Sequence, residues 1–357
     1  MFVMSRFWVE GISSLRPYVP GEQPDAQCCL KLNTNEHALP PSDAVMSAIS
    51  SLSGESLRRY PDPTAKSLRA TIAQQEGLVA EQIFVGNGSD EVLAHLWAAY
   101  LANGPVCSVD ITYGFYPVWC QLYGSSLTQY LLLDDFAVDI EALSNAEGAL
   151  VLANPNAPTG LALSRAVVER LVAANSNRLV IIDEAYYGFG AETSAPLINQ
   201  YDNLIVTRSL SKSHSLAGMR VGYALAHPDL VDGLNRIKDS FNSYPLDAVA
   251  QTAACAAIED TAWFAHASAV VVDSRQRMTQ GLQQMGFDVL PSQANFVFTR
   301  HKSKGGLALF EALRQRNILV RRWDNPRIVD WLRVSIGTLE QTQLLLAALA
   351  EILDSVD

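Results

Sequence analysis

Ser209-Leu-Ser-Lys-Ser-His-Ser-Leu-Ala-Gly-Met-Arg220 sets one lysine, Lys212, among hydroxyls at Ser209, Ser211, Ser213 and Ser215, with Arg220 eight residues on. A lysine desolvated beside other cations loses its proton more readily, and its amine can then attack a carbonyl. Hydroxyls and an arginine close by are the donors that a phosphate needs. A nucleophilic amine next to a phosphate site points to pyridoxal 5'-phosphate (PLP), held on the lysine as a Schiff base. The competing reading is an ordinary solvated loop.

Four other stretches bear on that choice. Gly86-Asn-Gly-Ser-Asp-Glu91 follows an apolar run and opens a helical pattern, so its backbone N–H groups and helix dipole suit an anion. Its first two glycines also fit a dinucleotide fingerprint, but the third glycine position holds Glu91. Asp183-Glu-Ala-Tyr186 ends the most apolar run, where a carboxylate can hold the protonated pyridine nitrogen of PLP or merely cap a helix. In Thr112-Tyr-Gly-Phe-Tyr-Pro117, Tyr113 either lies on an aromatic cofactor or packs in the core. Asn154-Pro-Asn-Ala-Pro-Thr-Gly160 is a rigid turn whose asparagines reach a ring hydroxyl or serve only the turn.

The elements that must position these residues alternate. Strands are predicted at 82–85, 106–109, 149–153, 179–183, 204–207 and 221–225, with helices from Pro41, Pro63, Gly88 and Ser164. Unbroken apolar strands between helices imply a largely parallel sheet covered on both faces, and ligands then bind beyond the strands' carboxyl ends. Near residue 246 the pattern changes to long helices (246–258, 261–285) and short strands (287–290, 295–298, 318–321, 331–336), which reads as a smaller α+β domain. The expected division is a proline-broken N-terminal arm, 1–41, joining the small domain; a large PLP-binding domain, 42–257; and a small C-terminal domain, 258–357.

The balance of residues narrows the partners. Of the 357 residues 49% are hydrophobic and 18% charged, ordinary for a globular chain with a sizeable core. A net charge of −11 argues against nucleic acid, whose phosphates call for basic patches. No apolar run approaches a membrane span, and residues Met1 to Glu10 lack a signal pattern, so no membrane partner and a cytoplasmic location are expected. The five cysteines, Cys28 and Cys29 adjacent among them, and the histidines have no metal-ligand spacing, and no metal is expected.

Taken in order, glycine loop, tyrosine, Asn-Pro turn, aspartate, lysine and arginine each follow a strand. That order, with NPNAPTG, DEAY and SLSKSHSLAGMRVGY, resembles the fold type I PLP aminotransferases of the class I/II branch, over nearly the whole chain. Leu15-Arg-Pro-Tyr-Val-Pro-Gly21, Leu32-Asn-Thr-Asn-Glu36, Arg59-Tyr-Pro-Asp62 and Trp331-Leu-Arg-Val-Ser-Ile-Gly337 resemble motifs of the histidinol-phosphate aminotransferase family.

The resemblance implies a mostly parallel seven-stranded-type sheet with helices on both faces plus a smaller α+β domain, and a homodimer. It implies Lys212 as the Schiff-base lysine and proton shuttle, Asp183 on the pyridine nitrogen, Tyr186 on the ring's O3′ and Tyr113 stacked on the ring. The amides of Ser89 and Asp90, with Ser209, Ser211 and Arg220, would hold the cofactor phosphate, and Tyr60 would do so across the dimer. Arg333, helped by Arg321, would bind the substrate's anion, with Tyr18 and Asn35 also on the substrate side. Arg322 is read instead as a surface partner of Asp324. One position departs from the family: Ala157 stands where many relatives have asparagine before Pro-Thr-Gly. The O3′ contact then falls to Asn156, Asn154 or Tyr186. The implied reaction is transamination of L-histidinol phosphate with 2-oxoglutarate, giving imidazole-acetol phosphate and glutamate. An aromatic or broad-specificity aminotransferase and a phosphothreonine-type PLP decarboxylase share the same catalytic residues. A PLP-fold regulator is disfavoured, because the arm is short and not basic.

Overall fold

A run such as Val180-Ile-Ile-Asp183 has no polar face to give to water, so it pairs only where a sheet is covered on both sides. The structure, a computed structural model, describes residues 5–9, 11–23 and 29–354. Met1 to Met4, Glu10, Pro24 and Cys28 lie outside the described residues.

After a short arm strand, β1 (Leu30–Lys31), the chain forms β2 (Ile83–Asn87), β3 (Pro105–Val109), β4 (Ser126–Tyr130), β5 (Ala149–Ala153), β6 (Val180–Asp183), β7 (Leu204–Ser209) and β8 (Val221–Ala226). These seven later strands make one sheet in the order β2-β8-β7-β6-β5-β3-β4. β8 runs antiparallel to both its neighbours and the remaining pairs are parallel. Every residue of β6, β7 and β8 is buried. Helices cover both faces, among them Gly88–Leu96 and Pro228–Phe241 on one side and Lys66–Glu76 and Arg165–Ala173 on the other. Side chains start several of them as their sequence suggests: Ser42, Ser164 and Asp247 each accept a backbone N–H at a helix N-terminus.

The strand order reverses between β3 and β5, which opens a crevice at their carboxyl ends. The residues after β3, β5, β6 and β7 converge there.

The C-terminal part holds β9 (Phe287–Val289), β10 (Phe296–His301), β11 (Ile318–Leu319) and β12 (Leu332–Ser335), with antiparallel order β12-β10-β9. Their core packs against the helices Thr261–Gln284 and Leu339–Asp354. The arm strand β1 pairs in parallel with β11, Leu30 opposite Ile318, in a separate two-stranded sheet that ties this part of the arm to the C-terminal part. The expected 257/258 division falls inside the helix Ala248–Glu259, which packs on Asp43–Ser50 and Lys66–Glu76.

Some elements carry no strong signal in the sequence. β4 is Ser-Leu-Thr-Gln-Tyr, largely exposed, and it is a strand only because it adds to the sheet's edge beside β3. The helix Tyr116–Leu122 was likewise not expected. Lys212 lies in a one-turn helix, Leu210–Ser213, rather than in the loop that its small neighbours suggested.

Candidate active site

β7 delivers Lys212. Ser209 ends the strand, and its Oγ accepts the Ser211 N–H at 3.1 Å, which starts the turn of helix. That turn aims the lysine into a cavity of about 210 Å³ at the strand ends. Lys212 Nζ donates to the Thr34 carbonyl at 3.0 Å. Burial lowers its pKa to about 8; Glu36 opposes the shift, and Arg333 and Arg220 add to it. The amine is therefore partly neutral near physiological pH, as a nucleophile or base must be.

β6 delivers Asp183, which is 3% exposed and also lines the cavity. Tyr116 OH donates to its Oδ2 at 2.9 Å, while Thr207 Oγ1 and the Ala185 N–H donate to Oδ1, both at 3.2 Å. Burial raises the carboxyl pKa to about 6 in spite of these bonds. Thr207 stands opposite Asp183 in the sheet register. Neither Tyr116 nor Thr207 was singled out from the sequence. The available signals were a lone hydroxyl in an apolar strand and a second tyrosine three residues after Tyr113.

At the other end of the cavity the donors suit a phosphate. Gly88, at φ +82°, opens the helix Gly88–Leu96, whose N-cap residue Asn87 makes no side-chain cap bond. A Cβ on Gly88 would stand 2.6 Å from Arg220 Nη2, and one on Gly222 would stand 2.3 Å from the Ser89 nitrogen. Two glycines thus let the helix N-terminus, β8 and the Arg220 guanidinium crowd together. Arg220 Nη1 reaches Ser211 Oγ at 3.5 Å and Nη2 bonds Asp90 at 3.1 Å. Asp90 also accepts from Tyr113 OH at 2.9 Å, tying the tyrosine expected on the ring to the arginine expected on the phosphate. An uncapped helix start, the Ser209 and Ser211 hydroxyls and a guanidinium form the donor set of a phosphate cup. With an amine and a carboxylate further in, these residues fit PLP.

The wall facing Lys212 comes from the smaller sheet and the arm. Arg333 and Arg321 line the cavity with Tyr18 and Asn35. Arg333 Nη2 donates to the Asn33 carbonyl at 2.9 Å, while its buried Nε has no partner among the described residues. Burial lowers the Arg333 pKa. Arg321 holds the arm through the Val19 and Pro20 carbonyls, at 3.1 and 3.3 Å. Arg322 instead pairs with Asp324 at 2.6 Å, as read from the sequence. Tyr18 stacks on Phe115, with ring centroids 4.7 Å apart. Asn35 donates to Tyr186 OH at 3.0 Å and is itself held by Ser335.

Three residues weighed for the site do not line this cavity. Asn156 is held in the proline turn: its Nδ2 donates to the Ile111 carbonyl at 2.9 Å and to Thr159 at 3.0 Å, while its buried Oδ1 has no partner among the described residues. Asn154 is occupied as well, exchanging bonds with Leu163. Ala157 does line the cavity, and of the three O3′ candidates only Tyr186 joins it there. Tyr60 is 82% exposed, stacked on Tyr244 with centroids 4.6 Å apart.

Known proteins similar to this chain are numerous. The family model for "Aminotransferase class I and II" matches residues 28–349. The histidinol-phosphate aminotransferase of Gluconacetobacter diazotrophicus is 50% identical over 98% of this chain and 99% of its own length. Histidinol-phosphate aminotransferase 2 of Gluconobacter oxydans is 52% identical over the same shares. Among solved structures, histidinol-phosphate aminotransferase from Sinorhizobium meliloti in complex with pyridoxal-5'-phosphate superposes with a TM-score of 0.89 at 26% identity, covering 99% of each chain. Agreement over the full length, and at half the residues, leaves one assignment: the chain belongs to the class I and II aminotransferases, within the histidinol-phosphate aminotransferase family.

Proposed function

We propose that this protein is a PLP-dependent aminotransferase that moves the amino group of L-histidinol phosphate to 2-oxoglutarate, giving imidazole-acetol phosphate and glutamate, a step of histidine biosynthesis. The observation that carries the substrate is the arginine pair, Arg321 and Arg333, on the cavity wall opposite Lys212 in a chain half identical to enzymes of that name.

When bound, PLP supplies an electron sink for the charge left when Cα of the substrate loses its proton. The Ser89 and Asp90 amides, Ser209, Ser211 and Arg220 hold its phosphate. Asp183 accepts the pyridinium N–H, Tyr113 covers the ring, and Tyr186 serves O3′ in place of the asparagine that Ala157 replaces. Lys212 would be the residue that holds the aldehyde carbon, and its amine would be the base that moves the Cα proton. Arg333 and Arg321 bind the substrate's phosphate, then the carboxylates of the second substrate, because a guanidinium fork bonds either group through two N–H donors. Tyr18 and Asn35 close the substrate side.

We further read the active unit as a cytoplasmic homodimer, with residues 1–41 as an arm on the small domain. Tyr60, Tyr244 and Phe241 support this as exposed aromatics, and Tyr60 is then free to reach the partner's cofactor phosphate. Product assays with L-histidinol phosphate, unphosphorylated histidinol, aromatic amino acids and phosphothreonine test the reading. Fast turnover of the phosphate ester alone is expected. Equal turnover of histidinol would point to a broad aminotransferase, and release of carbon dioxide from phosphothreonine to a decarboxylase.

A further inference from the structure

Asp183 has four acceptor positions, two on each oxygen. Oδ1 is filled by Thr207 Oγ1 and the Ala185 N–H, whereas Oδ2 receives only Tyr116 OH among the described residues. One acceptor position is therefore left, on the oxygen that Tyr116 holds. Tyr116 is fully buried and is the first residue of its helix. Its ring stacks on Trp97, with centroids 5.9 Å apart, and meets Tyr113 edge-on at 5.6 Å. Burial and Asp183 keep its hydroxyl protonated, so it is a donor at any working pH. The same side chain thus touches both the carboxylate expected on the ring nitrogen and the tyrosine expected on the ring face.

We propose that Tyr116 is a positioning residue for the cofactor: its hydroxyl fixes Asp183 Oδ2 as the oxygen that receives the pyridine N–H, and its ring sets the height of Tyr113. This rests on the reading of the site as a PLP site. Without the hydroxyl, Oδ2 would keep no protein donor, and the buried carboxylate would hold its charge less readily. The other ionisable groups facing Asp183 are Asp90, from the Gly88–Leu96 helix, and Tyr186, three residues on.

The test uses the full chain, before and after PLP is added. Tyr116→Phe keeps the ring and removes only the hydroxyl. In protein labelled with 13C-carboxyl aspartate, the Asp183 signal is assigned by its loss in Asp183→Asn. Its titration midpoint in Tyr116→Phe is expected to rise by about one pH unit, and PLP affinity to fall about tenfold, the loss of a charge-assisted hydrogen bond. Thr207→Val serves as the second variant. It removes a donor from Oδ1, so the midpoint should again rise, yet PLP affinity should stay within about twofold. An unchanged midpoint and affinity in Tyr116→Phe overturns the proposal. So does a larger loss of affinity in Thr207→Val, since it would give the pyridine nitrogen to Oδ1. If the unmutated chain fails to bind PLP, the reading of the site itself is what fails.

Discussion

Arg321 and Arg333 bond to each other through their main chains in both directions, Arg321 N–H to the Arg333 carbonyl at 3.0 Å and Arg333 N–H to the Arg321 carbonyl at 2.8 Å. Residues directly opposed in an antiparallel pair project to the same side. Two guanidiniums therefore share one wall of the cavity, with the Trp323 ring within 5.6 Å of Arg321 and 5.3 Å of Arg333. Two neighbouring cations repel, and an anion between them relieves that repulsion.

Replacing either arginine should consequently act on substrate binding. A charge-assisted hydrogen bond is worth about 1.5–3 kcal/mol, so each lost pair should cost roughly one to two powers of ten in kcat/KM. Arg333→Lys should weaken the reactions of both histidinol phosphate and glutamate. Arg321→Ala should hurt histidinol phosphate more, because a phosphate dianion has more acceptors to satisfy. Steady-state kinetics with each substrate decides this; equal losses in Arg321→Ala would remove Arg321 from phosphate recognition.

Tyr60 serves the neighbouring subunit in this reading. Lys212→Ala and Tyr60→Phe chains, each impaired alone, should regain activity when mixed, because one site of the hybrid carries neither defect. Recovery is measured on verified mixed dimers. Its absence would place the action of Tyr60 within its own chain.

The positions that the sequence made legible share a physical cause. β5, β6 and β7 are too apolar to be anything but buried strands, and the polar residue that follows such a strand must stand at its end. Lys212 and Asp183 were readable for that reason, whereas Arg220 precedes β8, whose antiparallel course brings its amino end to the same edge of the sheet. Arg321 and Arg333 were reachable only through family motifs, since their pairing joins residues twelve apart that periodicity does not relate. Asn156 is ambiguous in the sequence because a turn asparagine suits a ligand and a backbone carbonyl equally well, and here the Ile111 carbonyl takes its Nδ2. Tyr116 and Thr207 escaped notice because their importance lies in register and packing around Asp183, which no local spacing reveals.

His214 gives a pH prediction for stability. Burial, with Arg208 and His37 adding, lowers its pKa from 6.5 to about 3. The unfolded chain binds a proton there below 6.5 while the folded chain does not, so stability should fall as pH drops from 6.5 toward 3. Each unit of pH in that window removes about 1.4 kcal/mol. Urea unfolding at pH 7 and pH 5 should show a difference that shrinks by roughly 2 kcal/mol in His214→Phe. An unaltered difference would mean that His214 titrates alike in both states.

Asp183 should make cofactor binding depend on pH. Its carboxyl, raised to about 6, must be ionised to accept a pyridinium N–H. PLP affinity of the resolved protein should decline as pH falls through 6. The cofactor's own phosphate titrates near the same pH, so Asp183→Asn is the needed control. That variant should keep only the phosphate's share of the pH dependence, and it should transaminate slower by several powers of ten. Near-normal turnover in Asp183→Asn would refute the role given to the carboxylate.

The most direct measurement concerns Lys212. Purified protein supplied with PLP should be yellow, and borohydride should bleach the band and fix the cofactor covalently. Mass spectrometry of the digested chain should then find the added pyridoxyl group on the peptide containing Lys212, and Lys212→Ala should show neither the label nor turnover. A protein that stays colourless with PLP, or carries the label on another lysine, would contradict the assignment of this site.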